Sequence, residues 1–205
     1  MPSPPTISIP DIREYDRINA ELVRLLDQGS PVVLLAGAER QRLLAFGLRG
    51  GWRARVVIDG LCGPEVGAEL DAPGLSIICR GSTGDGAGRS LRSGRLLVFG
   101  SSGDAVGASQ SGGRILANRG VGHRAGLRQS GGDLIVLGEV GRLACERRSG
   151  GRFFASRERL GAFFEHGASG GEFVPLDPRE SIAIPPLDAL LSLDDDPFDG
   201  FAVPI

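Results

Sequence analysis

At 205 residues with a formal charge of −2, the chain is long enough to bury one sizeable core and too short for two independent folds. That charge excludes a whole-molecule field that would recruit nucleic acid or a membrane surface, and three cysteines without a CxxC pair support neither a disulfide framework nor a zinc or iron–sulfur site. The 33 glycines exceed twice the usual share of roughly 7% without a collagen period, so something repeated needs glycine.

The first residues, MPSPPTISIP, lack the basic start and apolar core of a signal peptide, and no apolar run approaches a membrane span. With three thiols and no disulfide pattern, a reducing, cytoplasmic setting is expected. Residues Asp11 to Gln28 carry helical spacing, with Ile12, Tyr15, Ile18, Leu22 and Leu25 on one face and Gly29 as a stop. Residues 1–30 therefore read as an N-terminal helical cap. Val32 to Leu35 and Leu43 to Phe46 read as irregular first coils.

From there the glycines recur in columns. Gly63, Gly84, Gly103, Gly122 and Gly141 form the first, Gly67, Gly88, Gly107 and Gly126 the second, with Cys145 in its next place, and Gly94, Gly113, Gly132 and Gly151 the third. The spacing is 21 residues once and 19 thereafter. Between them lie short apolar strands such as Val56-Val57-Ile58, Ile77-Ile78-Cys79 and Leu96-Leu97-Val98. A strand with a tight turn buries nothing alone, but coils stacked about 4.8 Å apart pair each strand with its equivalent and close a continuous core. The spacing thus predicts an all-β fold, a right-handed parallel β-helix of about six to eight coils over residues 31–174, with glycine where the corners need positive φ or close backbone approach.

Alternation assigns two inward stacks. Val56, Ile77, Leu96, Ile115, Leu134 and Phe153 form one, and Ile58, Cys79, Val98, Ala117, Val136 and Ala155 the other, with Val66, Ala87, Val106, Ala125 and Ala144 as a small-residue stack at the turn. The intervening column, Val57, Ile78, Leu97, Leu116, Ile135 and Phe154, points outward and is apolar throughout. Such a stripe needs cover, either from a partner protein, which makes these six the candidate partner surface, or from the chain's own ends. A coil near Gly161 to Phe173 is one residue longer. Residues 175–205, with Asp194-Asp195-Asp196-Pro197-Phe198-Asp199, read as an extended acidic tail that docks on the arginine-bearing coils or on a neighbour.

The chemistry such a chain offers is sparse. His123 and His166 lack a neighbouring ligand set, Asp85 and Asp104 read as turn acids beside glycine, and Cys79 and Cys145 as core residues. Gly84-Asp85-Gly86-Ala87-Gly88 lacks the helix and βαβ unit of a dinucleotide fingerprint. Arg95, Arg114 and Arg152 at coil starts lack the aromatic partners of a nucleic-acid face. No catalytic residue, metal site or bound cofactor is expected.

The recurring strand, Gly-x-x-Gly-x-x-x-Gly and Ser-Gly-Gly, as in VFGSSGDAVGASQSGGRILA and VLGEVGRLACERRSGGRFFA, resembles the GXGXG domain that closes the large subunit of glutamate synthases. That domain also stands alone in N-methylglutamate synthase-like complexes, and the likeness spans roughly residues 10 to 172. A more distant resemblance, by the same motif, is to the motif-bearing chain of formylmethanofuran dehydrogenase and of the related formyltransferase/hydrolase complex. The resemblance implies a non-catalytic scaffold that positions a class II glutamine amidotransferase-like partner and an FMN-binding glutamate synthase-like partner for ammonia transfer, with FMN and an iron–sulfur cluster in the partner. Cys145 in a glycine column and Asn118-Arg119 where other coils have glycine depart from the pattern. A self-contained β-helix hydrolase is the alternative of another class.

Overall fold

The structure, a computed structural model, describes residues 3–192. Nine parallel strands form one sheet, and the chain makes a β-solenoid of about seven turns. In chain order these strands are β1 (Thr6–Ser8), β2 (Val32–Ala36), β3 (Ala54–Asp59), β4 (Asp71–Cys79), β5 (Ser93–Val98), β7 (Ser111–Ala117), β9 (Ser130–Val136), β11 (Ser149–Ala155) and β12 (Gly170–Pro175). A second, narrow ladder joins β6 (Ser101–Ser102), β8 (Gly120–Val121) and β10 (Glu139–Val140).

The register is the one the columns demand. Ile77 pairs with Leu96, Leu96 with Ile115, and Ile115 with Leu134. Both inward stacks from β3 to β11 are fully buried, and the small-residue stack joins them in one core. At about 25 cal/mol per Å² of apolar surface removed from water, this lumen is the main source of stability.

The third side is the glycine-marked turn, and it is a ladder too. In each coil three residues two apart take positive φ, as in Ala105, Gly107 and Ser109 at 58°, 62° and 57°. The N–H groups of Ala105 and Ser109 donate forward to His123 and Leu127, both at 2.7 Å, while that of Gly107 donates back to Ala87 at 2.9 Å. Only the middle position faces the lumen, and the room there differs from coil to coil: a Cβ at Gly88 would meet Ile115 at 2.5 Å, whereas Ala45 and Glu165 hold the same place in the first and last coils; the outer two point away and tolerate alanine, serine or arginine. Cys145, at φ 59°, occupies the middle position and is buried.

The first column works differently. Gly103 and Gly122 are not left-handed, but a Cβ there would lie 2.1 and 2.2 Å from the carboxylates of Asp85 and Asp104 in the coil below. The third column has both constraints: Gly132, at φ 72°, would place a Cβ 2.4 Å from the carbonyl oxygen of Gly112. Gly161 continues the first column against Gly141, which confirms the one-residue lengthening of the last coil.

The N-terminal cap departs from expectation in two ways. A strand, β1, precedes the helix and pairs with β2. The helix itself breaks at Arg13, φ 64°, into α1 (Ile9–Ile12) and α2 (Tyr15–Asp27). Ile18, Leu22 and Leu25 are buried as predicted, but Leu26 takes the place expected of Tyr15, which is exposed. Asn19 pins α2 to the first coil, its amide donating to the Leu43 carbonyl and its oxygen accepting from the Ala45 N–H, both at 2.8 Å.

Candidate functional site

The predicted partner surface is closed by the chain itself. Val57, Ile78, Leu97, Leu116, Ile135 and Phe154 are at most 1% exposed and form a second core with Val32, Phe99, Leu137 and Leu190. The cover is the segment after β12. Leu176 extends the strand pairing through its N–H to the Ala155 carbonyl, and the chain then runs back across the strands to α3 (Leu187–Leu191), which packs on β2. Of the two covers weighed from sequence, the chain's own end occupies this face. The stripe is therefore not open for docking in this structure, because an apolar column of this length is buried by the nearest chain able to reach it. The acidic run Asp194 to Asp199 lies outside the described residues.

Two polar clamps hold the segment. Asn118 donates to the Ile182 carbonyl at 2.7 Å and accepts from the Ile182 N–H at 2.9 Å. Buried Arg55 donates to the carbonyl of Leu190 at 3.0 Å and also to that of Ser192. Asn118 is one of the departures from the repeat seen in sequence, and the clamp accounts for it.

Three of the candidate chemical groups, Asp85, Asp104 and His123, are engaged in holding coils together, while the His166 side chain lies exposed on the last coil. Asp85 Oδ1 accepts the Asp104 N–H at 2.8 Å, Asp104 Oδ1 the His123 N–H at 2.7 Å, and His123 Nδ1 the Arg142 N–H at 3.0 Å. These three side chains thus form one ladder at the position after the first-column glycine. Asp104→Ala is expected to cost about 1 kcal/mol in urea unfolding for the lost hydrogen bond, and Asp104→Asn, which keeps the acceptor, less than half of that.

Among the arginines at coil starts, Arg114 and Arg152 both turn onto Asp133, at 3.2 and 2.8 Å, which offsets one of their two charges and ties three successive coils together. All three cysteines are buried and none is in a disulfide. A hydrogen bond to Cys62, together with burial, holds the Cys79 thiol well above the ordinary range, and burial pushes Cys145 up to about 12. Both stay protonated, the opposite of what a nucleophile needs. No cluster of three or more His, Cys, Asp or Glu side chains suited to a metal ion occurs among the described residues, and none of their helices is long and apolar enough to cross a membrane.

A polar column inside the lumen went unseen in the sequence. Leu70, Leu91, Gln110, Gln129 and Arg148 are equivalent corner residues, all buried. Gln110 Nε2 donates to the carbonyls of Gly112 and Asp133 at 3.0 and 3.1 Å, and Gln129 repeats this one coil on with Gly131, Gly132 and Arg152. Arg148 ends the column, donating to the Glu172 carbonyl and pairing with Glu165. Glutamine directly before Ser-Gly-Gly in two successive coils was the available signal.

No family model, no curated protein and no solved structure matches the chain.

Proposed function

We propose that the chain is a non-catalytic scaffold subunit of a cytoplasmic glutamate synthase-like amidotransferase complex, holding a class II glutaminase-like partner and an FMN-binding, iron–sulfur-containing synthase-like partner. The reading rests on the likeness of the repeat to the GXGXG domain. The observation that supports it is the use of Asp85, Asp104 and His123 as acceptors between coils, which leaves their polar atoms with a structural task.

With the apolar stripe covered, the face on this reading that meets a partner is the turn side of the later coils, where Arg124, Arg128, Arg142 and Arg147 are all exposed. Co-expression with the neighbouring reading frames should yield a stable assembly with glutaminase activity. The double variant Arg128→Glu, Arg147→Glu should weaken that assembly about tenfold or more while shifting stability by less than about 0.5 kcal/mol. Turnover by the isolated chain would defeat the scaffold reading. Co-purification with formylmethanofuran dehydrogenase-like partners would redirect it to the related complex.

A further inference from the structure

The repeat breaks at two successive residues after β7. The grip on Ile182 accounts for Asn118, but nothing described so far accounts for Arg119. Gly81, Gly100 and Gly138 hold the equivalent place in other coils; a Cβ at Gly100 would lie 2.5 Å from the Ser82 nitrogen, and one at Gly138 would meet the Arg119 carbonyl. Arg157, the other arginine of this column, lies over the Phe173 ring at 4.8 Å. Arg119 is exposed, and its side chain makes no ion pair or hydrogen bond among the described residues. What it does line is a cleft of about 710 Å³ between the solenoid and the returning segment, within the ~300–1,000 Å³ usual for small-molecule sites.

Ser101, Arg119 and Arg159 stand on the solenoid wall of this cleft, and Arg179, Glu180 and Ser181 on the wall formed by the returning segment. The Asn118 clamp fixes the two walls against each other, since its partners are the neighbours of Arg119 and Ser181. The charges divide between the walls. Arg159 is held by a hydrogen bond to the Leu137 carbonyl, and its carboxylate neighbour Glu139 is 3.9 Å away and 82% exposed. Arg179 is taken up by Asp177, at 2.9 and 3.1 Å. Glu180 makes no ion pair among the described residues, so it does not reach the arginines across the cleft. Two guanidinium groups on one wall are thus matched by a single carboxylate on the other, beyond ion-pair distance. We propose that the cleft binds a small zwitterion carrying a carboxylate and an ammonium group. The carboxylate goes to Arg119 and Arg159, whose N–H groups suit a planar oxyanion, and the ammonium group to Glu180, with the Ser101 and Ser181 hydroxyls beside them. A plain anion meets Glu180 and a plain cation meets the arginines, so a ligand with both charges is the one selected. Once bound, it also ties the returning segment to the coils. This holds whether or not the amidotransferase reading does.

The test is titration calorimetry of the full chain with alanine, β-alanine and γ-aminobutyrate, which carry the same two groups at increasing separation, and with propionate and propylamine as single-charge controls. At least one of the three zwitterions should bind with a Kd of about 1 mM or tighter, and both controls about tenfold more weakly or less. Arg119→Gln and Glu180→Gln should each weaken binding about tenfold while moving the melting temperature by less than about 2 °C, because neither side chain holds the fold together. Arg92→Gln, at an exposed arginine on the corner before β5, should leave binding unchanged. As a measurement on the unaltered chain, amide exchange over residues 180–182 should slow when the zwitterion is added. Binding by none of the three, propionate or propylamine binding as tightly as the zwitterion, binding indifferent to Arg119→Gln and Glu180→Gln, or exchange unaltered by the ligand would each overturn the proposal.

Discussion

Replacing Gly131 by alanine should lower the melting temperature by about 10 °C, from an overpacking cost of about 3 kcal/mol in a chain of this size. Gly131 is not left-handed, so the loss does not come from φ. A Cβ there would lie 2.2 Å from the carbonyl oxygen of Ser111 and 2.9 Å from its carbon. Those are backbone atoms of the coil below, and relieving the clash means parting two coils whose hydrogen bonds run on both sides of the contact. Gly51→Ala is the control. Nothing lies within 4 Å of a Cβ at Gly51, so its melting temperature should move by less than about 2 °C. Equal losses at the two positions would mean that glycine acts through chain flexibility and not through the approach of coils.

Removing residues 176–205 should expose the second core, with strong binding of a hydrophobic dye and concentration-dependent aggregation, while the strand signal in circular dichroism persists. The argument is one of area. Six stripe residues together with Phe99 and Leu137 lose their cover at once, and a contiguous apolar surface of that extent is an association site. The lumen is untouched, because none of its residues belongs to that cluster. A point variant separates packing from clamp. Leu190→Ala, at a side chain 2% exposed, should cost about 2–3 kcal/mol, and Asn118→Ala about 1–2 kcal/mol for two hydrogen bonds. Truncated chain that stays dye-negative and monomeric would show that the segment is not the cover of this face.

What the sequence made legible was whatever the repeat forced to be alike. Ile77, Leu96, Ile115 and Leu134 share one environment, so composition alone reveals their column, and the first and third glycine columns stand out because a Cβ there meets backbone. The left-handed positions of Ala105 and Arg124 were illegible for the opposite reason. Their side chains face away from the lumen, so nothing restricts their type and no pattern accumulates. Gln110 and Gln129 were hidden because a carboxamide in an apolar column is acceptable only when nearby carbonyls satisfy it, which no period reports. The short β1, three residues between prolines and a helix, has no alternation to read. As to the candidate site, the apolar character of the outer stripe was plain, but its cover was a question of reach and direction after Pro175. The signal that bore on it was Asn118, a break in the repeat that the structure shows gripping Ile182.

Stacking of equivalent residues can be read directly by pulsed electron spin resonance between nitroxides on the turn side. Arg42, Arg142 and Ala162 are exposed members of one column, five and six coils apart, and the native cysteines are buried. Labels at 42 and 142 should lie about 24 Å apart and labels at 42 and 162 about 29 Å, a step of one strand spacing for the added coil. Distances that fail to grow by that step, or that spread over tens of ångströms, would contradict the solenoid.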